Sequence, residues 1–191
     1  MTQPVSKHQP AANAAASPDE LAARTAPLEG SPSGSGLRCL ITNDDGIASH
    51  GLRALAEVAV AAGLDVVVAA PLENCSGASS SISAMESGGR FVVERRVWRG
   101  FQGTDVFGVG GLPAFIALTA ARGAFGAPPD IVLSGINNGP NTGHAILHSG
   151  TVGAALTAST QGCRAMAVSI TAGPTPHWDT AAGVADMVLP W

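Results

Sequence analysis

The stretch Leu40-Ile41-Thr42-Asn43-Asp44-Asp45-Gly46 decides the fold, because it passes from apolar to acidic within a few residues. An apolar run that stops at a polar turn containing glycine is typical of a buried parallel strand that ends at a loop. Open α/β sheets bind their ligands at the carboxyl ends of such strands. Asp44 and Asp45 are therefore expected side by side at a ligand-binding edge.

Two adjacent carboxylates repel each other, and one of them takes up a proton unless a cation is shared between them. Oxygen ligands favour a hard cation, which here means Mg²⁺, Mn²⁺ or Ca²⁺. An aspartate at this position can equally cap the start of a helix, where Asp is favoured. The turn alone leaves both roles open.

Strands and helices alternate along the chain after residue 36. This alternation predicts an α/β fold with a mostly parallel sheet and right-handed crossovers. The predicted strands are 38–43, 66–70, 130–134 and 165–170, with extended segments within 91–109. The predicted helices are 51–62, 113–122, 151–161 and a last one beginning near Asp179.

The composition favours a well-buried core, since 46% of the 191 residues are hydrophobic and only 13% are charged. The net charge of −4 gives no general attraction for a nucleic-acid polymer or an anionic membrane. No apolar run reaches the roughly 18 residues of a membrane span, and the N-terminus lacks the apolar centre of a signal peptide. A cytoplasmic protein is expected.

The three cysteines, Cys39, Cys75 and Cys163, form no Cys-x-x-Cys motif, so we expect no zinc site and a reducing compartment. Cys39 should be a core residue. Cys75 lies in a candidate site loop, where it is either a nucleophile or structural, but no His lies near it in sequence.

Residues 1–36 are rich in Ala, Pro, Ser and Gly and contain few bulky apolar residues. Such a segment cannot bury enough apolar surface to fold, so we expect a disordered extension. The folded domain is then 37–191.

Two further polar loops follow predicted strands, at 74–81 and 134–143. In a parallel sheet they emerge at the same edge as Asp44 and Asp45. The first turn supplies charge, and the other two supply hydroxyl and amide oxygens that can complete the shell of a hard metal. Taken singly, each loop could also be a flexible surface connection.

A fourth element, Ser149-Gly150-Thr151, lies at the start of a predicted helix. Free N–H groups and the positive end of the helix dipole favour a phosphate there, although an ordinary Ser or Thr cap explains the same residues. Neither a Walker-type phosphate loop nor a dinucleotide-binding Gly-x-Gly-x-x-Gly occurs in the chain.

These motifs together resemble the SurE family of metal-dependent survival-protein nucleotidases. The matching segments are 41–47, 70–79, 129–143 and 149–155, in the family's order and at similar spacing. The likeness covers about 37–189. It implies a Rossmann-like three-layer sandwich, one divalent metal ion per chain and release of phosphate from nucleoside monophosphates.

The resemblance also assigns roles to particular residues. Carried over motif by motif, the metal ligands are Asp44, Asp45, Ser76 and Asn137, and the aspartates are the catalytic residues. The phosphate and substrate pocket consists of Asn74, Asn141, Ser149, Gly150 and Thr151.

Among the chain's departures from the family pattern, two bear on the site and on assembly. His144 and His148 replace acidic and aromatic residues; four positions apart, they could share a helical face and act on phosphate, or be ordinary polar substitutions. Family chains also continue past the last helix into an arm that builds the oligomer, and from the sequence up to Trp191 we expect this arm to be missing. A homodimer therefore stays open.

The expected activity is metal-dependent phosphomonoester hydrolysis, that of a 5′-nucleotidase of the acid-phosphatase type. One alternative is a metal phosphatase for another phosphomonoester, and another is a weak or inactive nucleotide- or metal-binding module. The sequence does not determine the preferred base, the choice between a 5′ and a 3′ phosphate, the physiological metal or the attacking group.

Overall fold

The computed structural model describes residues 36–171 and 173–191. The predicted disordered extension, 1–36, lies outside this part of the chain except for Gly36. The described strands are β1 (Arg38–Thr42), β2 (Asp65–Pro71), β3 (Glu86–Ser87), β4 (Arg90–Phe91), β5 (Val93–Arg96), β6 (Asp105–Val109), β7 (Ile131–Asn138) and β8 (Arg164–Ile170). The described α-helices are α1 (His50–Ala61), α2 (Pro113–Ala120), α3 (Gly150–Thr160) and α4 (Trp178–Val188), and Gly143–His148 forms a 3-10 helix.

Six strands form one sheet in the order β5-β6-β2-β1-β7-β8. Every pairing is parallel except that of β5 with β6. One face of the sheet packs on α1 and α4, and the other packs on α2 and α3. These three layers confirm the predicted α/β sandwich with a mostly parallel sheet. β3 and β4 form a separate two-stranded ribbon.

Local sequence explains where the helices begin. Ser49 caps α1, because its hydroxyl oxygen accepts the Leu52 N–H at 3.2 Å. Pro113 occupies the first turn of α2, where its missing N–H costs no hydrogen bond. Apolar side chains of α1 such as Leu52 and Leu55 are fully buried, so the amphipathic pattern sets which side meets the sheet.

The third candidate loop begins later than the sequence predicts. Residues 135–138 continue β7, where Asn137 and Asn138 pair with Ser169 and Ile170 of β8 after an irregular register between Ser134 and Asn137. The glycine and asparagines suggest a turn, but pairing with β8 overrides this local preference. Asn137 therefore lies on a strand and not in a free loop.

Close approach of α1 to the sheet depends on Gly51, since a Cβ there would lie 2.1 Å from the carbonyl oxygen of Ile136. Cys39 is fully buried, as expected. In residues 36–171 and 173–191 no helix has both the length and the apolar character needed to cross a membrane.

Candidate functional site

The candidate site lies at the carboxyl edge of the sheet. Thr42, the last residue of β1, is in register with Ser134 of β7. Asp44 and Asp45 follow Thr42 after the single residue Asn43, so they emerge beside the end of β7. Asp44 is 3% exposed, whereas Asp45 is partly exposed.

The Asp44 carboxylate sits on the first turn of α3. Its Oδ2 accepts the N–H groups of Gly150 at 3.1 Å and Thr151 at 3.2 Å, and its Oδ1 accepts the Thr151 hydroxyl at 2.6 Å. The positive end of the α3 dipole and these donors stabilise the negative charge. A Cβ on Gly150 would lie 2.8 Å from the Asp44 Cβ, so this approach requires glycine.

The Asp45 carboxylate has a different set of partners. It accepts the Asn138 N–H at 3.0 Å and the Asn74 side-chain amide at 3.2 Å. Burial raises the pKa of the Asp45 carboxyl and the Asp44 charge raises it further, while the two donors lower it. Asp45 thus joins the ends of β1, β2 and β7.

Asn137 is brought to the same place through Thr151. The Asn137 Oδ1 lies 3.5 Å from the Thr151 Oγ1, and the Asn137 side-chain nitrogen donates to the Gly139 carbonyl at 2.8 Å. Because the amide nitrogen of Asn137 is held by Gly139, the amide oxygen is the end that faces Thr151, which in turn bonds Asp44.

The Ser76 loop is anchored next to the aspartates. The Cys75 N–H donates to the Asp44 carbonyl at 2.8 Å, and the Ser76 N–H donates to the Asn74 Oδ1 at 2.9 Å. The Ser76 residue itself is exposed. The backbone of the loop is therefore held at the site, while Ser76 itself is exposed to solvent.

Two residues of the expected phosphate pocket have other partners. The Asn141 side-chain amide donates to the Ser169 hydroxyl at 2.7 Å. The Ser149 hydroxyl oxygen accepts the Val152 N–H at 3.1 Å and so caps α3. Ser149 still has its own proton to donate.

The expectation that His144 and His148 share one face of a helical turn was wrong. They lie in the 3-10 helix Gly143–His148, where residues three apart eclipse each other and residues four apart do not. Both are exposed.

Sequence reasoning missed three contributors. The buried Asn43 donates to the Ser49 hydroxyl at 2.7 Å and accepts the Gly46 N–H at 3.2 Å, so it holds the aspartate turn against α1. The Asn138 N–H, which donates to Asp45, and the Ser79 hydroxyl, which donates to the Leu147 carbonyl of the 3-10 helix, were also missed. The position of Asn43 between a strand and two aspartates was the available signal; the other contacts depend on tertiary structure.

The residues of the site suit a hard divalent cation. In the described parts of the chain, no three His, Cys, Asp or Glu side chains cluster around a potential metal position. The candidate donors are instead two carboxylates, one amide oxygen and one hydroxyl, all of them oxygen atoms. Burial, with a smaller contribution from the Asp44 charge, raises the pKa of Asp45, and a cation beside both carboxylates would favour their charged forms.

The Cys75 thiol is not set up as a nucleophile. Burial and the charges of Asp44 and Asp45 raise its pKa to about 12. A thiol with that pKa is protonated at neutral pH, and the thiolate is the reactive form. Its hydrogen points to the Asp44 carbonyl, with 3.4 Å between the heavy atoms.

The chain is similar to known proteins over most of its length. The family model for "Survival protein SurE" matches residues 39–190. The chain is 46% identical over 135 residues to the 5′-nucleotidase SurE of Aeropyrum pernix, covering 70% of this chain and 48% of that protein. It is 39% identical over 157 residues to the 5′-nucleotidase SurE of Aeromonas hydrophila, covering 80% and 58%.

A solved structure agrees with the fold. The crystal structure of the SurE protein from Aquifex aeolicus superposes with a TM-score of 0.66 at 33% sequence identity, covering 80% of this chain and 58% of that chain. The chain spans about half the length of the curated relatives it matches.

Proposed function

The chain belongs to the SurE family, and we propose from this that it is a divalent-metal-dependent phosphomonoesterase that releases phosphate from nucleoside monophosphates. The proposal includes one cation per chain and a cytoplasmic location. We favour Mg²⁺ or Mn²⁺ over Ca²⁺ as that cation. Its substrate is a free nucleotide and not a nucleic-acid polymer. The relatives named above carry the name 5′-nucleotidase.

One observation carries the proposal: Asp44 and Asp45 lie at the carboxyl edge of a parallel sheet, held by the ends of two other strands and by the start of α3. The edge gathers carboxylate, amide and hydroxyl groups from segments far apart in sequence. A site of this kind suits a ligand that carries both a hard cation and an anion.

We assign the cation to Asp44, Asp45, Ser76 and Asn137. When bound, such a cation polarises a phosphoryl oxygen and stabilises charge in the transition state. The chain's own contribution is to hold the oxygen donors in place. The α3 donors orient Asp44, and Asn138 and Asn74 orient Asp45.

We assign phosphate recognition to Ser149, Gly150 and Thr151, with Asn74 and Asn141 beside them. The Ser149 hydroxyl proton is available to a phosphate oxygen, while its oxygen keeps the Val152 N–H. The N–H groups of Gly150 and Thr151 are now bound to Asp44, so a phosphate would share them with that carboxylate. The helix dipole favours either anion.

The test is phosphate release from a panel of nucleoside monophosphates by the purified chain with Mg²⁺ or Mn²⁺, and again with EDTA. We expect metal-dependent release that Asp45→Asn reduces at least 100-fold, since a missing carboxylate weakens the cation site and charge stabilisation contributes about 10²-fold or more in such sites. Asp186→Asn, an exposed aspartate on α4, is the matched control.

Three outcomes would contradict the proposal or part of it. Release that persists in EDTA would exclude the metal-dependent reaction. No release from any nucleotide, by a folded protein that still binds Mn²⁺, would identify a binding module instead. Release from other phosphomonoesters only would replace the substrate class.

A further inference from the structure

Ser79 connects two segments of the site that are far apart in sequence. Its hydroxyl donates to the Leu147 carbonyl at 2.7 Å, and its N–H donates to the His148 carbonyl at 3.1 Å. Both acceptors belong to the 3-10 helix that leads into α3. One residue of the 74–81 loop thus makes two hydrogen bonds to the segment that precedes Ser149.

The backbone of Ser79 is unusual. Its φ of +57° is in the left-handed region. Within the described part of the chain, every other residue with a positive φ is a glycine. Such a conformation is unfavourable for a residue with a Cβ and persists where surrounding contacts impose it. The two bonds to the 3-10 helix are contacts of that kind.

The same residue lies close to α3. A Cβ on Gly153 would lie 2.7 Å from the Ser79 carbonyl oxygen, so the first turns of α3 pack directly against the loop. The other side of the loop is tied to the aspartate turn through the Cys75 N–H and the Asp44 carbonyl. Ser76 lies between these two attachments.

We propose that Ser79 is a positioning residue: its hydroxyl fixes the Ser76 loop onto the 3-10 helix and the start of α3, and so sets the distance between the Ser76 and Ser149 segments. The consequence for catalysis rests on the function proposed above. The structural part concerns only the contact of Ser79 with Leu147 and His148.

The test compares Ser79→Ala with Ser81→Ala in the full chain. Ser81 is an exposed serine of the same loop, and its backbone N–H donates to the Ala78 carbonyl at 3.3 Å. We expect Ser79→Ala to speed amide hydrogen exchange about two- to tenfold in 74–81 and in 143–150, as loss of one hydrogen bond predicts, and to leave β1 and β2 unchanged. The Kd for Mn²⁺ should rise by a similar factor, and Ser81→Ala should match the wild type.

Exchange in both segments equal to that of the wild type would overturn the proposal. So would faster exchange spread over the whole sheet, because that marks a merely structural role. Ser79→Gly removes the same hydroxyl without a Cβ at positive φ, and it should speed exchange in 143–150 as the alanine variant does; unchanged exchange there would also overturn the proposal.

In kinetic assays, the proposal predicts a rise in KM for nucleotide larger than the fall in kcat. If the wild type releases no phosphate from any nucleotide, the proposed function fails, but the exchange comparison still decides the role of Ser79.

Discussion

Thr151 donates its hydroxyl proton to Asp44, with 2.6 Å between Oγ1 and Oδ1. Both residues are buried, and they lie 107 positions apart in the sequence. The bond joins the turn that follows β1 to the start of α3. It also fixes the orientation of a carboxylate that the proposed function requires.

Replacing Thr151 by Val removes this hydrogen bond while keeping the shape of the side chain. We expect the free energy of unfolding, measured in urea with EDTA present, to fall by about 1.5–3 kcal/mol, the range for a hydrogen bond to a charged group. Thr151→Ser keeps the hydroxyl and should lose less. Equal stability of the Val variant and the wild type would contradict the reported contact.

Gly150→Ala should displace Asp44, because the new Cβ would lie 2.8 Å from the Asp44 Cβ and 2.9 Å from its Oδ2. We expect at least a tenfold fall in kcat/KM and a lower melting temperature. Gly183→Ala is the control: it lies within α4, has no atom within 4 Å of the new Cβ, and should raise stability by about 0.5–1 kcal/mol. Full activity of Gly150→Ala would show that Asp44 can move freely.

Asn43→Ala should loosen the aspartate turn, since Asn43 is fully buried and bonds both Ser49 and Gly46. We expect a loss of about 1–3 kcal/mol in unfolding free energy. Ser49→Ala should lose about 1 kcal/mol by removing the α1 cap. In a double-mutant cycle the two losses should fall short of additivity; strict additivity would mean that the Asn43–Ser49 bond contributes nothing.

Mn²⁺ should stabilise the folded chain before any substrate is added. At 100 times its Kd, an ion that binds only the folded state raises the unfolding free energy by about 2.7 kcal/mol. Thermal unfolding should show this shift in the wild type and in Asp186→Asn, and a much smaller shift in Asp45→Asn. An equal shift in all three proteins would place the ion away from Asp45.

The sequence was sufficient to predict the parallel sheet and the edge of that sheet at which the aspartates lie. Valine-rich and apolar runs that stop at polar turns, such as the one ending at Thr42, carry that information locally. They also locate Asn74 and Asn137 near Asp45, because the ends of neighbouring strands meet at one edge.

The detailed partners could not be predicted, because they depend on how distant segments pack. Asn137 and Asn138 favour a turn locally, yet they pair with β8 and belong to a strand. The donors at the start of α3 were expected to face a ligand, but in this structure they bind Asp44. The 3-10 form of 143–148 was likewise invisible, since its i to i+3 pattern has no distinct side-chain signature.

The span of the Asp44–Thr151 contact has a consequence for synthesis of the protein. On the ribosome, Asp44 and Asp45 emerge more than a hundred residues before the helix turn that binds Asp44. At about 5–20 residues per second, the nascent chain carries an incomplete site for roughly 5–20 seconds. A nascent chain halted before residue 150 thus has both aspartates but no α3, and it cannot capture a ligand that requires the finished edge.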